Sequence, residues 1–198
     1  MKVRHWMIKK VVTVSPEDSL EKAVQLMKLH SIRHLPVVED GRLVGLVTES
    51  TIRQYARPEE LGKPLREIMI LNPITVSPDT TIDAAARIIY RHKIGGLPVV
   101  EGDRLVGIIT ITDILEAFIE LMGLLRSSSR LDVIPREPEG LDGVLEIVRA
   151  HGGKVISIGM DVEPSGEKIY FIRLERMPLE PLASALEVAG HRVISVVD

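Results

Sequence analysis

The sequence predicts a mixed α/β and α+β chain, with two successive β-α-β-β-α units followed by one β-α-β-β-α-β unit. Three observations predict it. The chain repeats itself after about 62 positions with no insertion. Within each copy, one-sided apolar stripes at helical spacing alternate with β-branched runs. After Ser127-Ser128-Ser129 the pattern changes style, which places a domain boundary there.

Many positions of the repeat are identical. Thr13-Val14-Ser15-Pro16 recurs as Thr75-Val76-Ser77-Pro78, and His30 recurs as His92. Leu35-Pro36-Val37-Val38-Glu39 returns as Leu97-Pro98-Val99-Val100-Glu101, and Arg42-Leu43-Val44-Gly45 as Arg104-Leu105-Val106-Gly107. Two copies suit a paired domain better than a solenoid. In each, a short extended segment (Val11 to Val14, Ile74 to Val76) meets Ser-Pro, whose proline stops a strand and prepares a helix start. Helices follow from Ser19 and Thr81, with stripes Leu20, Ala23, Val24, Met27 and Ile82, Ala85, Ala86, Ile89. Two β-rich runs joined at Asp40-Gly41 or Gly102-Asp103 then form a hairpin, and a last helix closes the unit. Trp6, the only tryptophan, is expected to anchor the lead-in segment on the core. Arg57 to Pro64 is polar with two prolines and reads as a linker, after which Leu65 to Met69 begins a lead-in helix ended by Asn72-Pro73.

The stretch with the most chemistry is Gly107-Ile108-Ile109-Thr110-Ile111-Thr112-Asp113. A β-branched strand gives way there to a helix, which Thr112 is expected to cap. A helix N-terminus offers free N–H groups, the Thr110 hydroxyl can donate to a phosphate oxygen, and the Asp113 carboxylate can accept from two vicinal hydroxyls. The first copy reads Gly45-Leu46-Val47-Thr48-Glu49-Ser50-Thr51, with Thr51 where the second has its carboxylate. This predicts a weaker, empty or differently adapted first site. Gly95-Gly96 replaces Arg33-His34 and lets backbone approach a flat ring, or else simply makes a tight strand entry. Arg33, His34, Arg91 and His92 are cations near these positions, although His30 and His92 close helices and suit a dipole contact. The helix that Thr112 caps is expected to run to about Leu125, and its broad apolar face of Ile114, Leu115, Phe118, Leu121, Met122 and Leu125 points to a dimer contact or to packing on the next domain.

This motif order resembles the CBS domain, which occurs in pairs called Bateman modules. The resemblance covers roughly residues 1 to 125 and divides them into 1–62 and 63–126. It implies a pseudo-symmetric pair with clefts that bind adenine-containing ligands in many members: AMP, ADP, ATP or a relative such as S-adenosylmethionine. Carried over, it implies a cleft of Thr75, Val76, Gly96, Leu97, Pro98, Thr110 and Asp113, and a degenerate second site of Thr13, His34, Leu35, Pro36, Thr48 and Thr51.

Residues 127–198 read as strand, helix, two strands around Glu163-Pro164-Ser165-Gly166-Glu167, helix and strand. That order implies a ferredoxin-like sandwich with two helices on one face of an antiparallel sheet. It is similar to an ACT domain, whose opening turn corresponds to Pro138-Glu139-Gly140. The resemblance implies an amino-acid ligand at the Glu139-Gly140 loop or, equally, a purely dimerising role. A CBS pair followed by an ACT domain resembles the acetoin-utilisation-type proteins.

Composition narrows the classes. The chain has 198 residues, 45% hydrophobic and 27% charged, with a formal charge of −3, which leaves no basic footprint for nucleic acid or an anionic membrane. It has no cysteine, which excludes disulfides and thiolate chemistry. The six histidines contain no ligand-spaced pair, so no metal site is expected. No apolar run approaches the ~18 residues of a membrane span and no h-region opens the chain, so a cytoplasmic location is expected. Asn72 is the only asparagine and Gln25 and Gln54 the only glutamines, a thermophile's habit. No nucleophile elbow or Walker-type or dinucleotide-type loop occurs, so the expectation is a non-catalytic, homodimeric small-molecule sensor needing no cofactor. The alternative is a scaffold with vestigial pockets.

Overall fold

A computed structural model describes residues 1–55 and 57–197. It divides into two compact units, Met1–Ala117 and Phe118–Asp198. The division falls within a helix, upstream of the serine run, because Ser128 and Ser129 already belong to a strand.

In the first unit, α1 (Leu20–His30) is capped by Ser19, whose hydroxyl accepts from the Lys22 N–H at 3.2 Å. Its repeat α3 (Ile82–His92) is capped by Thr81 in the same way. Both helices end on a left-handed residue, Ser31 and Lys93. The hairpins are β1 (His34–Glu39) with β2 (Arg42–Thr48), and β3 (Gly96–Glu101) with β4 (Arg104–Thr110). Positive φ at Asp40 and Gly41, and at Gly102, gives the tight turns that two-residue hairpins require. The order β1-β2-β4-β3 joins the hairpins at Arg42 and Arg104. Short α2 (Glu49–Tyr55) and longer α4 (Ile111–Met122) follow β2 and β4.

The lead-in segments are exchanged between repeats. Val3 is fully buried in a core with Ile82, Leu97, Ile109 and Ala117, all of the second repeat, while Leu65 and Ile68 are buried with Leu20, Leu35 and Val47 of the first. Trp6 packs on that second-repeat core. Ile8 pairs with Ile108 and Ile70 with Leu46, so each segment runs beside the other repeat's last strand. Glycines make room for this passage. A Cβ at Gly107 would lie 2.7 Å from Met7 Sδ and 3.1 Å from the Ile8 carbonyl oxygen, and one at Gly45 would meet Met69 and Ile70. Leu65–Glu67 forms a single 3₁₀ turn where a longer helix was expected, since Pro64 begins it and the chain must then extend along β2. The segments ending at Val14 and Val76 add only isolated parallel bridges to Val37 and Val99.

The second unit has β5 (Ser128–Ile134), α5 (Gly140–Ala150), β6 (Val155–Val162), β7 (Lys168–Glu175), α6 (Glu180–Val188) and β8 (Arg192–Val197). The sheet order is β6-β7-β5-β8, with every pair antiparallel. Leu131 and Val133, Ile172 and Leu174 alternate onto one face, where Val144 and Val148 of α5 and Leu182 and Leu186 of α6 complete one core. The buried Ser129 hydroxyl donates to the Met177 carbonyl and accepts from the Met177 N–H, tying β5 to the segment before α6. On α4, Ile114 and Ala117 are buried, and Ile111, Leu115, Phe118 and Leu121 stay exposed.

Two stability outcomes follow. Leu65→Ala should lower unfolding free energy by about 2–5 kcal/mol in urea titration, as a core leucine does, although it lies beside the linker. Ser129→Ala leaves both Met177 backbone groups without their partner and should cost about 1–3 kcal/mol by the same measurement.

Candidate functional site

Two cavities of about 270 and 400 Å³ lie in the first unit, near the small end of small-ligand sites and suited to a nucleoside-sized group. They are built from equivalent positions. Lys10, Val11 and Val12 of the first correspond to Asn72, Pro73 and Ile74 of the second, Ser31 and Ile32 to Lys93 and Ile94, and Thr110 and Thr112 to Thr48 and Ser50. Each cavity takes its entry segment from one repeat and its strand-to-helix corner from the other. The exchanged lead-ins dictate this, because Ile8 runs beside Ile108 and brings Lys10–Val12 to the Thr110 corner.

The corner is closed by a capping interaction. Asp113 Oδ2 accepts from the Thr110 N–H and from the Thr110 hydroxyl, both at 2.7 Å. Thr110 therefore precedes and caps α4, and Thr112 sits inside the first turn. The Thr110 hydroxyl proton is committed to Asp113, so toward a ligand this oxygen acts as an acceptor and not as the phosphate donor expected from sequence. Asp113 Oδ1 has no hydrogen-bond partner among the described residues, and Asp113 lines the cavity half-buried. In the other cavity Thr48 and Thr51 bond each other through their hydroxyls at 3.0 Å, and Thr51 is buried away from the lining.

Several residues expected together are not brought together. Thr75, Val76, Leu97 and Pro98 do not line the cavity of Thr110 and Asp113. Val76 pairs with β3 and packs in the core, Leu97 alternates into that core, and Pro98 is buried in the hairpin. Gly96 lines the second cavity instead. Of the second set, His34 and Thr48 line that cavity, whereas Thr13, Leu35, Pro36 and Thr51 do not. The residues missed are Lys10–Val12, Ser31 and Ile32, with their counterparts Asn72–Ile74, Lys93 and Ile94, whereas Arg33 and His34, expected as nearby cations, do line the first cavity. The repeat pairs all of them, but only the exchange shows which pair with which corner.

His34 lines both cavities. A Cβ at Gly95 would lie 2.8 Å from its Cε1 and Nε2, and one at Gly96 3.6 Å from Cε1. The imidazole of His34 thus lies against Gly95. Burial holds this imidazole below the ordinary histidine range, the Arg33 charge adds to the effect, and Glu49 opposes it.

In the second unit, Gly140, at φ +57°, lines a cavity of about 420 Å³ with Glu137, Glu167, Lys168 and Tyr170. Glu139 lies outside it, and its Cβ is 2.8 Å from where a Cβ at Gly143 would stand. No group of three or more potential ligands for a metal ion occurs among the described residues, and no described helix is long and apolar enough to cross a membrane.

The geometry can be set beside known proteins. An inosine-5'-monophosphate dehydrogenase of Korarchaeum cryptofilum is 43% identical over 110 residues, 55% of this chain. The chain spans only 22% of that relative's length. The CBS domain pair of protein MJ0100, in complex with 5'-methylthioadenosine and S-adenosyl-L-methionine, shares 33% identity at a TM-score of 0.55, covering 60% of this chain and 95% of that one. A putative acetoin utilization protein (AcuB) of Vibrio cholerae gives 33%, 0.58, 63% and 95%. CBSX2 in complex with AMP gives 27%, 0.55, 60% and 96%. The CBS-domain profile matches residues 3–57 and 65–120, one match per repeat and more than half of the chain. This chain therefore belongs to the CBS-domain family, of which its first unit is a tandem pair.

Proposed function

We propose that the chain is a non-catalytic sensor that binds an adenine nucleotide or related adenosyl ligand in the cavity of Asp113. The observation that carries this is the corner itself. Asp113 is oriented by two hydrogen bonds to Thr110 through Oδ2, has Oδ1 without a partner among the described residues, and lines the cavity. A carboxylate so placed can accept from ribose hydroxyls without reorganising. Lys10, Arg33 and His34 line the same cavity and supply positive charge for a phosphate or carboxylate end. The AMP bound by CBSX2 and the adenosyl ligands bound by MJ0100 support this ligand class.

Ligand binding would act as a signal by favouring one arrangement of the two repeats, whose hairpins pair at Arg42 and Arg104, with a coupling of about 1–3 kcal/mol. We read the second unit as ACT-like from its strand order and from the Gly140 turn. Its role is dimerisation or amino-acid binding at the Gly140 cavity, and the exposed apolar residues of α4 favour a homodimer. The likeness to AcuB supports an acetoin-utilisation-type assignment for the CBS pair. The scaffold alternative draws on Thr51, whose hydroxyl is closed on Thr48 and offers the second cavity nothing.

Calorimetry with AMP, ADP, ATP and S-adenosylmethionine tests the reading, and a scaffold gives no heat with any of them. Asp113→Asn keeps an oxygen for the Thr110 cap but removes the charge. It should weaken binding about tenfold or more, the loss of roughly 1.5–3 kcal/mol from hydrogen bonds to a charged group. Unchanged affinity would remove the ribose assignment. Thr51→Asp should recreate the corner at Thr48 and strengthen binding in the cavity of Thr48, read as a smaller Kd for the weaker event in the same titration.

A further inference from the structure

The two cavities are not independent compartments. His34 forms a wall of both, and its ring lies against Gly95, where a Cβ would meet it at 2.8 Å. By the repeat, His34 is the counterpart of Gly96, which carries no ring. The pair consequently has one ring at a place where symmetry would put two.

The charges around this ring differ between its two sides. Lys10 from the lead-in, Arg33 beside it and Asp113 of α4 line the first cavity with it. Lys93 at the end of α3 lines the second, with no carboxylate in the lining. Glu49, the first residue of α2, also acts on the ring. The second cavity thus has one lysine and a share of His34 as its cations.

We propose that His34 is a shared cation that couples the two cavities: an anionic group in either one recruits its imidazolium, and a second anion cannot then use it. This rests on the sensor reading of the same pair. Two consequences follow from one ring and one proton. Binding the first anionic ligand takes up a proton, because the buried ring is favoured in its neutral form beforehand. Its affinity therefore rises as pH falls through the pKa of the bound ring, and levels off only below that of the free ring, which lies under the ordinary histidine value of about 6.5. Binding of the second is weakened, by up to about tenfold, within the usual range of coupling between sites.

The test is calorimetric titration of the full chain with AMP at pH 7.5, in two buffers of different ionisation enthalpy, for the wild type and His34→Gln. Adenosine serves as the ligand lacking phosphate. The wild type should take up a sizeable fraction of a proton with AMP and none with adenosine. His34→Gln should still bind AMP, lose most of that uptake, and show a ratio of second to first Kd at least about threefold smaller. At pH 7.5 the phosphate of AMP, with a second pKa of about 6, is already almost wholly the dianion, so its own titration adds little proton uptake in either protein. AMP binding with equal proton uptake and an equal ratio in both proteins overturns the shared-cation inference alone. No binding of AMP, adenosine or S-adenosylmethionine by the wild type overturns the sensor reading and this inference with it.

Discussion

Val3 and Leu65, one from each lead-in segment, are fully buried in the core of the opposite repeat, and the course of the chain through the first unit follows from that burial. Each places a short 3₁₀ turn against the other repeat's helices and leaves the next residues to run beside that repeat's last strand. The glycines at 45 and 107 are required because a sulfur and a carbonyl cross them closely. Neither repeat has a complete core without its partner's segment, so the hydrophobic term that drives folding also fixes the mutual placement of the repeats. Both cavities arise where these crossed segments meet the strand-to-helix corners.

At those corners a structural demand and a binding demand fall on the same atoms. The N–H of Thr110, which opens helix α4, must be satisfied, and Asp113 does so with one oxygen while the other has no partner among the described residues. In the first repeat Thr48 and Thr51 cap each other's backbone N–H groups and leave the cavity without a carboxylate. Capping therefore explains why both copies keep a polar residue at this position, and it does not require that both copies bind. Only the spare oxygen of Asp113 separates a capped helix from a candidate ribose site.

Much of this architecture was legible in the residues. The identical runs announced the duplication, Ser19 and Thr81 announced helix starts, and Asp40-Gly41 and Gly102 announced the hairpins. The strand order of the second unit agrees with its reading as β-α-β-β-α-β. The candidate site was legible only in its corner, Thr110 and Asp113. Its remaining walls escaped because periodicity reports which residues face inward within a repeat and carries no information on exchange between repeats. Thr75 and Val76 have the right composition, but their equivalents' neighbours, Lys10–Val12, stand at the Thr110 corner. Arg33 and His34 were legible as cations near these positions, while Lys10, at the end of the lead-in, carried no signal in its own repeat.

The pairing of His34 with Gly95 and Gly96 bears on how such a chain can change over time. Position 95 faces the opposite repeat's imidazole at a distance that admits no Cβ without a shift, whereas its counterpart, Arg33, carries a long side chain. The two copies are therefore no longer interchangeable at this point, and drift at one position is constrained by the residue kept at the other.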